Sequence, residues 1–175
     1  MQDLYLIKLS TDYLDQIKEY RNECLLNNSS MDGCGPLRKY ENPNDYFKEM
    51  KKYEKKETLP EGMVVSTQFL CIRKSNNKLV GMIDVRHYFN EYLEKYAGNI
   101  GYSVRPSERQ KGVASFMLNA VKPFCKSIGL TKILISCLDN NTASRKTILK
   151  NGGVYESSIY DSRKNETLER YWITL

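Results

Sequence analysis

The 175-residue chain has one histidine, His87, and its five cysteines, Cys24, Cys34, Cys71, Cys125 and Cys137, include no Cys-x-x-Cys pair. The first shortage rules out zinc hydrolysis of the His-Glu-x-x-His kind. The second argues against a structural zinc site, and the odd cysteine count argues against a disulfide framework. The thiols are therefore read as reduced and no metal site is assigned. Charges interrupt every hydrophobic run well short of the roughly 18 apolar residues that a membrane helix requires. The N-terminus also lacks the basic start and long apolar stretch of a signal peptide, so a soluble, cytoplasmic protein is expected. With 41% apolar residues, ten glycines, five prolines and no internal repeat, the chain reads as one globular domain over 1–175.

Charge is unevenly distributed. The net excess of +6 lies wholly in residues 105–175, with 12 basic against 6 acidic side chains, while residues 1–104 balance at 15 of each. A positive half suggests a polyanionic ligand held there. Nucleic acid would suit the charge, but the arginine-bearing loop lacks the interleaved aromatics which that reading needs. The lysines from Lys48 to Lys56 alternate with glutamates at helical spacing, as on a solvated face.

Leu4 to Leu9 alternates as a strand, and Ser10 or Thr11 opens a helix striped by Leu14, Ile17, Arg21 or Tyr20, Cys24 and Leu25. Loop residues fill Asn28 to Pro36, and a second helix is predicted from Asn44 to Lys56. Gln68–Arg73 and Leu79–Arg86 read as a hairpin turning at Asn76-Asn77, followed by a strand over Asn99–Val104. A single helix is expected from Gly112 to Ile128, then a buried strand Ile133–Cys137. A further helix, capped by Asn140 or Asn141, is expected to run to Lys150, and Val154–Tyr160 and Arg170–Leu175 close the chain as a hairpin.

The densest chemical signal is Ile100-Gly-Tyr-Ser-Val-Arg-Pro-Ser-Glu-Arg-Gln-Lys-Gly-Val-Ala114, where a strand passes through a basic turn into a helix. The first amides of a helix have no internal acceptor and sit at the positive end of its dipole, so they receive phosphate well. Gly112 and Ala114 keep bulk away from that approach. Arg105, Arg109 and Lys111 are expected to add positive charge.

Arg109-Gln110-Lys111-Gly112-Val113-Ala114 after Val104 resembles the signature of the GNAT superfamily of acetyl-coenzyme A dependent N-acetyltransferases. Asn141-Thr142-Ala143-Ser144 is similar to the family's next helix opening, and Lys150-Asn151-Gly152-Gly153 to its helix ending. The resemblance spans essentially the whole chain, and the wording around Val85-Arg-His-Tyr looks closest to a bacterial branch of unassigned acceptors. It implies a mixed α/β single-domain fold, with one central, mostly antiparallel sheet of six or seven strands and about four flanking helices. It also implies acetyl-coenzyme A as co-substrate. The pantetheine arm would lie along main chain near Ser103, Val104 and Arg105, and the pyrophosphate over amides from Gln110 through Lys111, Gly112, Val113 and Ala114 to Ser115. Asn141, with Ser144 in the same helix opening, would meet the arm from the other side. The acceptor would be a small-molecule or protein amine, and a homodimer is allowed. A silent acyl-coenzyme A sensor is the alternative to an enzyme.

For proton transfer the resemblance gives less. Many relatives keep a tyrosine acid seven residues after the position of Asn141, and this chain has Ile148 there; the strand Ile133–Cys137 offers Ser136 rather than a carboxylate. His87, the one side chain ordinarily titrating near neutrality, and Tyr102, the best placed of Tyr88, Tyr102 and Tyr160, are the catalytic candidates. Cys125 and Cys137 lie on apolar elements, which favours direct transfer over an acetyl-enzyme. Asp32, Glu91 and Glu94 flank the expected acceptor end.

Overall fold

The computed structural model describes residues 3–175. Seven strands form: β1 (Leu4–Lys8), β2 (Ser66–Arg73), β3 (Lys78–Arg86), β4 (Ile100–Val104), β5 (Lys132–Leu138), β6 (Val154–Asp161) and β7 (Glu166–Thr174). Five α-helices accompany them: α1 (Leu14–Leu26), α2 (Pro43–Lys51), α3 (Val113–Ala120), α4 (Lys122–Ser127) and α5 (Thr142–Lys150). All pairing between strands is antiparallel. The expected single sheet is in fact two, ordered β1-β2-β3-β4 and β5-β7-β6.

The sheets meet at one point. Gly98 bridges to Ile135, the Asn99 amide donates to the Leu134 carbonyl at 2.8 Å, and the Leu134 amide donates to Asn99 Oδ1 at 2.9 Å. Away from that point β4 and β5 share no ladder, and one edge of each is left facing the other.

Two apolar layers sandwich the first sheet. Ile17, Tyr20 and Cys24 of α1 and Tyr46 and Met50 of α2 pack on Leu70, Ile72 and Met82. Val113, Met117 and Leu118 of α3 and Cys125 of α4 pack on the opposite face with Ile83, Val85 and β5. Full burial of side chains such as Ile17 and Leu70 contributes roughly 1.5–3 kcal/mol each. The period-two pattern of β3 sorts its residues between the layers, with Met82, Asp84 and Arg86 on the α1 side and Ile83 and Val85 on the α3 side.

Two helices end earlier than the sequence suggests. The second, expected to Lys56, runs from Pro43 to Lys51 and then unwinds through short 3-10 turns. The expected helix Gly112–Ile128 breaks at Val121, because Pro123 in the first turn of α4 has no amide to continue the ladder. It therefore counts as two helices, making five in place of about four.

Candidate active site

Between the facing edges of β4 and β5 lies a cleft of about 1090 Å³, lined by β4, β5, the loop to α3, α5 and the loop after α1. The β4 edge is chemically specific. The Arg105 amide donates to the Val80 carbonyl, so the alternation of an antiparallel ladder commits Ser103 and Gly101 to β3 as well. The amides and carbonyls of Tyr102 and Val104 therefore face the cleft. Of Ser103, Val104 and Arg105, only Val104 offers its main chain there. The Ser103 hydroxyl is turned inward, accepting from Tyr20 at 2.9 Å and lying 3.1 Å from Cys34 Sγ.

At one end of the cleft the loop into α3 is bent by two left-handed residues, Gln110 (φ 61°) and Gly112 (φ 78°). Gly112 is also the N-cap of α3, and no side chain caps the helix. The amides of Val113, Ala114 and Ser115 are thus left as donors beside the cleft. A Cβ on Gly112 would meet no protein atom within 4 Å, so the space it would fill is open. An extended carrier bearing amides and phosphates fits these features: a free strand edge for the amides, and an uncapped helix start with an open glycine for the phosphates.

The expected cations are not all available to that end. Arg105 is buried, with Nε 2.5 Å from Glu23 Oε2 and Nη2 3.4 Å from Glu19 Oε2. Lys111 donates to the Ser107 carbonyl at 2.8 Å and to Glu108 Oε2 at 3.1 Å. Neither lines the cleft, so their charges serve the loop's own structure. Arg109 does line it, with Nε 3.4 Å from the Val104 carbonyl. Lys146 and Lys150 of α5 also line it and went unnoticed in the sequence. Their i, i+4 spacing on the helix opened by Asn141 was the available signal. Asn141 caps α5, accepting from the Ser144 amide at 3.0 Å.

Where the facing edges pass α5, the Tyr102 hydroxyl lies 2.8 Å from Ser144 Oγ. Burial pushes the Tyr102 pKa up to about 12, so it is a neutral hydroxyl at physiological pH. Cys137, on the same wall, is pushed to about 11 chiefly by burial, which keeps it a thiol. His87 stands apart from the cleft. It shares the parity of Val85, so its ring lies on the α4 side, 5.9 Å from Phe124, with Nε2 2.9 Å from Thr67 Oγ1. Burial and then the nearby Lys8 lower its pKa. Ile148 is wholly buried in the core and does not line the cleft. Tyr88 and Tyr160 are exposed and outside the cleft, as are Glu91 and Glu94, whereas Asp32 lines it. Among the described residues no three His, Cys, Asp or Glu side chains group to hold a metal, and no helix is long and apolar enough to cross a membrane.

A single cleft between parted sheets, with a free strand edge and an uncapped helix start at one end and the loop after α1 on its wall, suits a group transferase that works from an elongated, phosphate-bearing carrier. The sequence matches the family model of the acetyltransferase (GNAT) domain over residues 4–154, and the chain belongs to that family. It is accordingly an N-acetyltransferase that draws on acetyl-coenzyme A.

Solved structures share the fold. A RimL ribosomal L7/L12 alpha-N-protein acetyltransferase in complex with coenzyme A superposes with a TM-score of 0.73 at 15% identity, covering 100% of this chain and 96% of that one. The microcin C7 self-immunity acetyltransferase MccE, in complex with acetyl-coenzyme A and AMP, gives 0.73 at 14%, covering 100% and 94%. A dodecameric spermidine N-acetyltransferase from Vibrio cholerae gives 0.68 at 16%, covering 99% and 95%. A search of curated protein sequences returned no match.

Proposed function

We propose that acetyl-coenzyme A lies with its pyrophosphate on the amides from Gln110 to Ser115 and its pantetheine arm on the β4 edge at Tyr102 and Val104, and passes its acetyl group directly to an amine entering from the loop after α1. The observation that carries this reading is the open cradle at Gly112 beside the uncapped start of α3. Asn141 would meet the arm from the α5 side, and Arg109, Lys146 and Lys150 supply the charge that the phosphates require. Positioning the thioester against the amine lowers the barrier by roughly 7–11 kcal/mol. The amine, once neutral, attacks the thioester carbonyl; the C–S bond breaks and the thiolate leaves, taking a proton as free coenzyme A. Tyr102, hydrogen-bonded to Ser144, is the hydroxyl best set to donate toward that sulfur. Cys137 remains a thiol without an activating base, which supports direct transfer.

The same reading takes the protein to be cytoplasmic and bacterial. The five free cysteines suit a reducing compartment, and Vibrio is the source of the dodecameric relative above. A homodimer is proposed on the exposed Val154, Tyr155 and Tyr160 of edge strand β6.

The test is calorimetric. Wild-type protein should bind acetyl-coenzyme A, and Gly112→Glu, which sets bulk and negative charge in the phosphate space, should abolish measurable binding without unfolding the protein. Unchanged affinity in a folded variant would refute the placement. Mass spectrometry after mixing with acetyl-coenzyme A alone should show no acetyl group on Cys137; a rapid stoichiometric adduct would replace direct transfer with a two-step route.

A further inference from the structure

The acceptor end of the cleft carries one cation fixed with unusual care. Arg86, at the end of β3, lines the cleft. Its Nε lies 3.4 Å from Asp84 Oδ2, and its Nη1 donates to the Gly98 carbonyl at 3.1 Å. Asp84 is buried, and its other carboxylate oxygen, Oδ1, has no hydrogen-bond partner among the described residues. A buried acid held against one arginine fixes the guanidinium more firmly than a surface pair would, while Nη2 makes no hydrogen bond among the described residues. The guanidinium lies over Gly101: a Cβ there would come within 3.1 Å of Nη2 and 2.9 Å of the Gly33 amide. Any larger residue would displace both the arginine and the loop after α1.

That loop brings the opposite charge. Gln68 Nε2 donates to the Gly33 carbonyl at 2.9 Å, which pins Gly33 against Gly101 and sets exposed Asp32 on the cleft wall. Asp32 and Arg86 are thus carried by two segments that meet at Gly101, next in sequence to Tyr102. Glu166 and Lys164 also line the cleft with opposite charges.

We propose that the acceptor is a zwitterion of the α-amino acid type. Arg86 receives its carboxylate, and Asp32 holds its ammonium beside Tyr102 until the ammonium passes its proton to solvent water in the open cleft. Arg86 is a specificity residue in this scheme, Asp84 the positioning residue behind it. A guanidinium fork matches a carboxylate better than a lysine does. The same fixed charge repels the second ammonium of a polyamine. The inference rests on the transfer site proposed above.

The test uses the full-length protein with acetyl-coenzyme A and follows thiol release with the twenty protein amino acids, their α-amides and spermidine. At least one amino acid should turn over with kcat/KM tenfold or more above its own amide and above spermidine. Because removing Arg86 alone would leave Asp84 buried without its partner, the variant is the double substitution Arg86→Gln with Asp84→Asn. It should lose the preference, the ratio of kcat/KM for the amino acid to that for its own amide falling tenfold or more toward one, through a rise in the amino acid's KM. Arg86→Lys should restore the preference only in part. Amides or spermidine preferred by wild type, or no amino acid turned over while acetyl-coenzyme A still binds in the calorimeter, would overturn this acceptor class and leave the co-substrate site standing. Loss of acetyl-coenzyme A binding itself would instead count against the transfer site.

Discussion

At the scale of single residues, proton handling turns on two positions. Ile148 occupies the place where many relatives carry a tyrosine, and here it is core: its side chain is fully buried, and a Cβ on Gly153 would overlap it. Ile148→Ala should therefore cost stability, about 2–5 kcal/mol by chemical denaturation, rather than remove an acid. Tyr102 is the opposite case. Held neutral by burial and bonded to Ser144, it does not titrate between pH 6 and 9, and in the proposed transfer it is the proton donor. A thiol has a pKa of roughly 8–9, so its thiolate gains little from protonation. Tyr102→Phe should lower kcat by about tenfold, less than the roughly 10²–10⁴ of strong acid-base catalysis, with the KM for acetyl-coenzyme A unchanged. The rate should rise with pH toward the acceptor's own pKa, in the variant as in wild type. A thousandfold loss in Tyr102→Phe, or a flat profile in wild type, would contradict this division of labour. His87→Ala should leave kcat within about threefold, since its ring is packed against Phe124 away from the cleft.

At the scale of elements, the loop between β4 and α3 is held by carboxylates that the sequence places far away or disguises. Glu108 accepts from Arg73 at 2.6 Å, Lys78 at 3.1 Å and Lys111 at 3.1 Å. Glu23, on α1, accepts from Arg105 and from the Ser107 amide at 2.7 Å. Burial raises the pKa of Glu108, but Lys111, Lys78 and Arg73 outweigh it and leave the pKa below its ordinary 4.5. Glu23 is lowered in the same way, with Arg105 and the Ser107 amide outweighing its burial. A lowered folded pKa means that these carboxylates stabilise the fold above about pH 4.5, and that the contribution is lost as pH falls through the folded values. Glu108→Gln should therefore flatten the acid side of the Tm-versus-pH curve and raise the acetyl-coenzyme A Kd about fivefold, with a smaller effect on the acceptor KM. An unchanged Kd would mean that the loop is rigid without its ion pairs.

The glycine-bent, uncapped start of α3 and the Asn141 cap were legible because turn, glycine and helix start lie within a few residues of one another. The fate of Arg105 was not, because its partners lie 82 and 86 positions away in the chain. His87 was half legible: its parity with Val85 was open to inspection, but which face of β3 the cleft would adjoin depended on how the sheets part.

At the scale of the whole molecule, function depends on two sheets that touch once and then separate. The contact is made at Gly98, which has a φ of 72° and whose added Cβ would overlap the Leu134 carbonyl. The neighbouring Asn99 ties both its amide and its side chain to Leu134, and Arg86 donates to the Gly98 carbonyl, so the junction also anchors the proposed acceptor site. Gly112 provides an internal control. It has a comparable φ of 78° but open space where a Cβ would go. Alanine at either position incurs left-handed strain, of order 1 kcal/mol. Only at Gly98 is a steric overlap added that the rigid β5 backbone cannot relieve without moving. Gly112→Ala should therefore lose about 1 kcal/mol and bind acetyl-coenzyme A more weakly through local crowding. Gly98→Ala should lose more than about 3 kcal/mol and, where still folded, should raise the acceptor KM more than the acetyl-coenzyme A Kd, because the proposed carrier site runs from Tyr102 toward the start of α3, away from this junction. Equal stability losses in the two variants would mean that left-handed strain alone accounts for Gly98, and that the sheets are not locked together there.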